Sequence, residues 1–175
     1  FFLRDEPTDW LSKFGGSAWA PFGDTGKYYL HLYDVTQADL NWHNPRVREE
    51  LFKVVHFWLD KGVKGFRFDV INVIGKDEIL ENCPENDGKP AYTDRPIVHE
   101  YLHMLNEETF GTDEAIMTVG EMSATNIENC ILYTAPERHE LSMAFNFHHL
   151  KVDYENGQKW TLKNFDFEEL KRLFH

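Results

Sequence analysis

An arginine and a carboxylate lie two residues apart in the stretch Gly65–Asp69, whose sequence is GFRFD. The apolar residues around them predict a strand, and residues i and i+2 of a strand point to the same side. Arg67 and Asp69 are therefore expected to share one side, where the arginine keeps the carboxylate ionised. A buried, ionised Asp69 at the end of a strand can act as a nucleophile.

A second carboxylate ends a similar apolar run, Ala115–Glu121, whose sequence is AIMTVGE. The helical pattern between the two runs predicts a β-α-β unit, in which both strands run parallel and end at the same face. Asp69 and Glu121 are then expected together at that face. Such a pair suits glycoside hydrolysis, because one acid attacks or stabilises the anomeric carbon and the other protonates the leaving oxygen.

Three motifs in this order resemble a known family. GFRFD resembles the fourth-strand motif of the α-amylase superfamily of glycoside hydrolases, and VGE at Val119–Glu121 resembles its fifth-strand motif. QADLN at Gln37–Asn41 is similar to a short motif near the end of the domain, called domain B, that this family inserts into its barrel. The resemblance runs along essentially the whole chain.

The resemblance implies an α/β fold, a partial (β/α)8 barrel of about strands four to six with the tail of domain B. Residues 1–42 would be the C-terminal part of domain B, and residues 43–175 the central part of the barrel of a larger enzyme. Asp69 would be the nucleophile, Glu121 the general acid/base and Arg67 the supporting arginine. Two of the family's three catalytic carboxylates would then be present. No cofactor and no metal site is expected.

Within the superfamily, two stretches resemble the trehalose-6-phosphate hydrolases. The first is Phe14–Trp19 followed by Tyr28–Leu32, and the second is Leu141–Tyr154, reading LSMAFNFHHLKVDY and continuing to Lys159–Leu162. The implied substrate is a phosphorylated disaccharide, cleaved to glucose and glucose 6-phosphate. The oligo-1,6-glucosidases share the first stretch and both catalytic motifs, so they and other α-glucosidases remain an alternative. A non-enzymatic alternative is the ectodomain of an amino-acid-transporter heavy chain. Those proteins lose catalytic residues, whereas Arg67, Asp69 and Glu121 are all present here.

Candidate substrate contacts follow the predicted strands: Asn72, His148, His149, Lys151 and Lys159. Adjacent histidines in a strand point to opposite sides, so at most one of the pair faces the pocket. A lysine can hold a phosphate as a point charge. The competing interpretation is that the histidines are packed or solvated and that the lysines lie on the solvated surface.

The composition limits the classes of binding partner and the cellular compartment that are expected for this protein. The formal charge of −12 argues against nucleic acid and anionic membrane surfaces, and a phosphorylated substrate then needs a local cationic cluster. No run is long and apolar enough to span a membrane. Cys83 and Cys130, the two cysteines, lack a metal-binding spacing and indicate a reducing compartment, which predicts a cytoplasmic protein.

Local signals predict the elements that position these residues. They predict a hairpin turning at Gly23–Lys27, a helix from Pro45 to Gly62, a loop over 75–94, a helix opening at 94–96, a helix over 126–133, a strand over 141–147 and a helix capped by Asp166.

Overall fold

The structure is a computed structural model that describes residues 1–155 and 158–173, with the side chains of residues 158–160 outside the described part. The strands are β1 (Leu3–Arg4), β2 (Trp19–Pro21), β3 (Tyr28–Leu30), β4 (Gly65–Phe68), β5 (Met117–Glu121), β6 (Met143–Phe145), β7 (Tyr154–Glu155) and β8 (Gln158–Leu162). The α-helices are α1 (Pro45–Asp60), α2 (Pro96–Glu108), α3 (Ile127–Thr134) and α4 (Phe167–Leu173).

A parallel sheet of order β4-β5-β6 carries the two predicted catalytic strands. Strand β4 pairs with β5 and β5 with β6, both in parallel, while α2 connects β4 to β5 and α3 connects β5 to β6. The predicted parallel β-α-β arrangement is confirmed. All three strands therefore end at one face.

A separate antiparallel sheet of order β1-β3-β2 lies before α1. Strands β2 and β3 form the predicted hairpin. Gly23 and Gly26 in its turn have φ angles of +55° and +73°, which a residue with a Cβ rarely adopts.

Two hydrophobic cores correspond to the two sheets. The core beneath the parallel sheet contains Val55, Ile71, Val98, Leu102, Leu105, Phe110, Ile116, Met122, Tyr133 and Leu141. The core of the antiparallel sheet contains Phe2, Trp10, Ala18, Trp19, Leu30, Leu32, Val73, Leu80 and Tyr92. Because the second list includes three residues that follow β4, the long connection between β4 and α2 packs against the antiparallel sheet.

The helix boundaries follow the capping residues in the sequence. The Asn44 side chain accepts a hydrogen bond from the Arg46 backbone N–H at 3.0 Å, and Pro45 occupies the first turn of α1. Gly62 follows the end of α1 with a φ of +86°. Asn126 and Asp166 cap α3 and α4 in the same way. These predicted helix starts and stops are confirmed.

One sequence-based expectation was wrong in detail. The sixth-strand region is shorter than predicted, because the Asn146 side chain accepts a hydrogen bond from the His148 backbone N–H at 3.0 Å and turns the chain. His148–Leu150 consequently form a 3₁₀ turn instead of a strand. The predicted loop over 75–94 contains neither an α-helix nor a strand, and Glu85–Ala91 within it form 3₁₀ turns interrupted by a left-handed segment. Among the described residues, no helix is both long and apolar enough to cross a membrane.

Candidate active site

Asp69 and Glu121 lie next to each other at the carboxyl ends of neighbouring strands. Phe68 on β4 and Gly120 on β5 are register partners, and each directly precedes one of the two carboxylates. Parallel pairing thus brings two acids that are separated by a whole helix in sequence to the same level of the sheet.

Arg67 connects the two carboxylates. Its Nη1 donates a hydrogen bond to Asp69 Oδ1 at 2.5 Å, and its Nη2 donates to Glu121 Oε2. The guanidinium carbon also lies 5.9 Å from the centre of the Phe145 ring on β6. The expectation that Asp69 is buried was wrong: its side chain is 73% exposed, whereas that of Glu121 is 15% exposed. Asp69 projects beyond the last residue of β4, where nothing described covers it.

The backbone turns sharply straight after Asp69. Val70 has a φ of 40° and a ψ of 44°, a left-handed conformation that is an outlier for a β-branched residue. Its carbonyl accepts a hydrogen bond from the Val73 backbone N–H at 3.1 Å. Strained residues of this kind persist only where the surrounding packing determines them, and they concentrate at functional sites.

Asn72 does not face the site, contrary to the prediction that it contacts substrate. Its side chain is fully buried. Its Nδ2 donates to Asp94 Oδ1 and to the Ser123 carbonyl, and its Oδ1 accepts from the Ser123 backbone N–H, all at 2.8 Å. Both donor hydrogens are therefore used within the protein. Asn72 ties the chain after β4 to the chain after β5.

The Asp94 carboxylate is a hydrogen-bonding hub. Oδ1 accepts from Asn72 Nδ2 at 2.8 Å and from the Tyr133 hydroxyl at 2.9 Å. Oδ2 accepts from Thr125 Oγ1 at 2.6 Å and from Asn129 Nδ2 at 2.8 Å. Four donors from three segments meet on one side chain, which fixes the chain after β4, the chain after β5 and helix α3 relative to one another.

The two histidines sit in a 3₁₀ turn, where successive residues diverge by about 120°. The Nε2 atom of His148 is hydrogen-bonded to the Thr125 carbonyl, which accepts, so Nε2 carries the proton. His148 Nδ1 is buried and has no hydrogen-bond partner among the described residues. Neutral His148 consequently has no N–H left for a phosphate. His149 is half-buried at the next position.

Lys151 follows this turn and is exposed, and its positive charge contributes to lowering the pKa of Lys13. Lys159 belongs to β8, and its side chain lies outside the described residues. The structure therefore describes the side chain of Lys151 but not that of Lys159, the other predicted phosphate contact.

Three residues close to the carboxylates, or to the chain that follows Glu121, carried no signal in the sequence: Lys13, Tyr33 and Ser123. Burial has the largest effect in raising the pKa of Tyr33 to about 12, and the charge of Asp69 adds to the shift. Among residues 1–155 and 158–173, no group of three or more His, Cys, Asp or Glu side chains is arranged to hold a metal ion.

Comparison with known proteins gives strong similarities. The sequence profile of the α-amylase catalytic domain matches residues 2–175. The trehalose-6-phosphate hydrolase of Bacillus subtilis (strain 168) is 57% identical over 167 residues, which cover 95% of this chain and 30% of that protein. The oligo-1,6-glucosidase of Parageobacillus thermoglucosidasius is 45% identical over 173 residues, which cover 95% of this chain and 31% of that protein.

A solved structure agrees with these matches. The crystal structure of a mutant of Bacillus licheniformis trehalose-6-phosphate hydrolase in complex with PNG is similar with a TM-score of 0.91 and 57% identity. The match covers 95% of this chain and 30% of that chain. The chain thus spans about 30% of the length of the relatives it matches.

Proposed function

The chain belongs to the α-amylase family of glycoside hydrolases, and we propose that it is the central part of a retaining enzyme that cleaves α,α-trehalose 6-phosphate to glucose and glucose 6-phosphate. The family resemblance of the motifs is thereby confirmed. The observation that carries the proposal is the contact of Arg67 with both Asp69 and Glu121, within a chain 57% identical to a trehalose-6-phosphate hydrolase.

The proposal includes the division of the chain. The parallel sheet β4-β5-β6 would supply strands four to six of a (β/α)8 barrel, within residues 43–175. Residues 1–42 would be the C-terminal part of domain B. The antiparallel sheet lies before α1 and packs on a hydrophobic core separate from the core of the parallel sheet, which supports this division.

In the first step, Asp69 attacks the anomeric carbon of the unphosphorylated glucose unit. Because Oδ1 is held by Arg67, we assign the attack to Oδ2. The bond from this carbon to the bridging oxygen breaks, and Glu121 gives its proton to that oxygen, so glucose 6-phosphate leaves. Arg67 donates to Oε2 of Glu121, which leaves Oε1 as the oxygen that carries the proton.

In the second step, Glu121 acts as a base. It takes a proton from water, the water oxygen bonds to the anomeric carbon, and the bond from that carbon to Asp69 breaks. Glucose is released and both carboxylates return to their starting states. Arg67 stabilises each negative charge in turn, because a guanidinium offers donors in a fixed fork.

Retention of configuration is what the family resemblance implies, and it sets an expected spacing for the two acids. Retaining enzymes hold their two carboxyl groups about 5–5.5 Å apart, while inverting enzymes leave about 6.5–9.5 Å for a water molecule. A single guanidinium that contacts one oxygen of Asp69 and one of Glu121 keeps the two groups close.

The phosphate of the substrate would be held by lysines, since a dianion needs local positive charge in a chain of net charge −12. Lys151 and Lys159 remain the proposed contacts, with His149, or His148 if it is protonated. A cytoplasmic location is also part of the proposal, because Cys83 and Cys130 are both free thiols.

A substrate panel on the full-length protein tests the function. Rates of hydrolysis of trehalose 6-phosphate, trehalose, isomaltose and sucrose are compared at equal concentrations. We expect trehalose 6-phosphate to have the highest kcat/KM, with glucose and glucose 6-phosphate formed in equal amounts. A protein that prefers isomaltose would instead be an oligo-1,6-glucosidase, the second candidate, which the 45% identity to such an enzyme supports.

A further inference from the structure

Lys13 reaches from the segment before α1 to the end of β5. Its backbone N–H donates to the Leu32 carbonyl at 2.8 Å, which fixes the start of the side chain. Its Nζ donates to Ser123 Oγ at 3.3 Å and lies 5.3 Å from the centre of the Tyr92 ring. Ser123 comes two residues after Glu121. The Lys13 ammonium is therefore held beside the chain that leaves the candidate active site.

Two further lysines converge on this same stretch, residues 123–126. Lys89 lines a surface pocket of about 490 Å³ together with Ala124 and Thr125. Lys151 directly follows the 3₁₀ turn that His148 ties to the Thr125 carbonyl. Lys13 thus contacts this segment directly, Lys89 lines a pocket beside it, and Lys151 follows a turn that is hydrogen-bonded to it.

These charges are close enough to act on one another. Burial has the largest effect and, together with the charges of Lys89 and Lys151, lowers the pKa of Lys13 to about 8, while the charge of Asp87 opposes the shift. Asp87 already pairs with Lys89, at 3.1 Å. In a chain of net charge −12, lysines that repel one another in this way are expected where a negative ligand binds.

The lysine cluster borders the carboxylate pair. Ser123, which accepts the hydrogen bond from Lys13, comes only two residues after Glu121 on the chain that leaves β5. A disaccharide whose bond to be cleaved lies at Asp69 and Glu121 can therefore extend its far end toward residues 123–126.

We propose that Lys13, together with Lys89 and Lys151, binds the phosphate group of the substrate, so that a residue before α1 selects for phosphorylated sugars. This inference rests on the proposed function, because it requires a substrate that carries phosphate. The phosphate would replace Ser123 as the partner of the Lys13 ammonium and would compete with Asp87 for Lys89.

The site has a predictable pH dependence. The charged groups facing Lys13 are Lys89, Lys151 and Asp87, and burial raises the pKa of the neighbouring Tyr92 hydroxyl, which stays neutral. A bound dianion favours the protonated amine, so binding near and above pH 8 is coupled to proton uptake. Above pH 8 the free Lys13 is mostly neutral, and the preference for phosphorylated substrate falls.

The test uses the full-length protein and the ratio of kcat/KM for trehalose 6-phosphate to kcat/KM for trehalose. Lys13→Gln should lower this ratio about ten- to a hundred-fold. Lys27→Gln is the matched control, because Lys27 lies in the same segment with a half-exposed side chain 3.9 Å from Asp5, and its ratio should not change. Lys13→Arg should keep the ratio and lose its decline above pH 8, because a guanidinium stays charged.

The outcomes separate the two proposals. A wild-type protein that does not hydrolyse trehalose 6-phosphate overturns the proposed function. If the wild type does hydrolyse it and Lys13→Gln leaves the ratio unchanged, only the role of Lys13 is refuted. Should Lys13→Gln fail to fold, the Lys13→Arg pH profile decides, and a decline above pH 8 equal to that of the wild type refutes the inference.

Discussion

Asp69 and Glu121 stand side by side because the residues before them, Phe68 and Gly120, are partners in a parallel register. Gly120 also allows close packing at this point, since a Cβ there would lie 2.7 Å from Leu141 Cδ1 and Met122 Cε. The separation of the two acids is thus set by backbone pairing, and Arg67 holds both side chains in place.

Replacing Asp69 by Asn in the full-length protein should abolish turnover, because an amide cannot form the glycosyl-enzyme. We expect kcat to fall by several orders of magnitude, about 10⁴-fold or more. Asp24→Asn, at an exposed turn, is the control and should retain full activity. Turnover close to wild type in Asp69→Asn, with an intact fold by circular dichroism, would refute the assignment of the nucleophile.

Arg67→Lys tests whether one side chain must contact both acids. An ammonium is a point charge without the planar fork of a guanidinium, so it cannot reproduce both contacts. We expect kcat/KM to fall about a hundred-fold. Arg46→Lys, on the exposed start of α1, provides the comparison. An Arg67→Lys enzyme as active as that control would show that the double contact is dispensable.

Lys151→Ala should reduce the preference for phosphorylated substrate. The ratio of kcat/KM for trehalose 6-phosphate to that for trehalose should fall about ten- to a hundred-fold, the effect of one charge-assisted contact. Lys61→Ala, at the exposed end of α1, serves as control. Equal losses on both substrates, or no loss, would contradict a phosphate role for Lys151.

Asp94→Asn should destabilise the protein by about 1–3 kcal/mol, because the new NH₂ group would face donors instead of accepting from them. The free energy of unfolding is measured by urea titration of the full-length protein. Asp24→Asn should stay within about 0.5 kcal/mol of the wild type. An equally small effect at Asp94 would mean that its four hydrogen bonds are exchanged for water without loss.

Lys13→Met should stabilise the protein at pH 7, since it removes a half-buried charge repelled by Lys89 and Lys151. Native Lys13 loses its proton near pH 8, while the unfolded chain keeps it to about 10.5. Between these values the unfolded state binds more protons, so the wild type gains stability as the pH rises. The advantage of Lys13→Met should therefore shrink over this range in urea titrations. A difference that does not vary with pH would contradict the lowered pKa.

Local patterns were sufficient for much of the fold and for the carboxylate pair. The period of two in GFRFD and the β-α-β spacing predicted Arg67, Asp69 and Glu121 at one face, because both depend only on backbone periodicity and strand pairing. Likewise, Asn44 marks the start of α1 and Gly62 marks its end, through interactions within a few residues. Such local signals hold wherever tertiary contacts do not compete.

Features that depend on distant contacts could not be predicted. The grouping of Lys13, Lys89 and Lys151 requires three separate segments to fold against residues 123–126, and no spacing in the sequence encodes it. The prediction that Asn72 contacts substrate was wrong. Its position after β4 suits a ligand contact, but its side-chain amide forms three hydrogen bonds within the protein.

The Asp94 hub has a consequence for the order of folding. Three of its four donors come from residues 125–133, so the complete set of hydrogen bonds can form only after β5 and α3 have joined the chain that follows β4. Contacts that close late contribute little to the rate-limiting transition state. Loss of the hub should therefore accelerate unfolding far more than it slows folding, and the hub prolongs the lifetime of the native state.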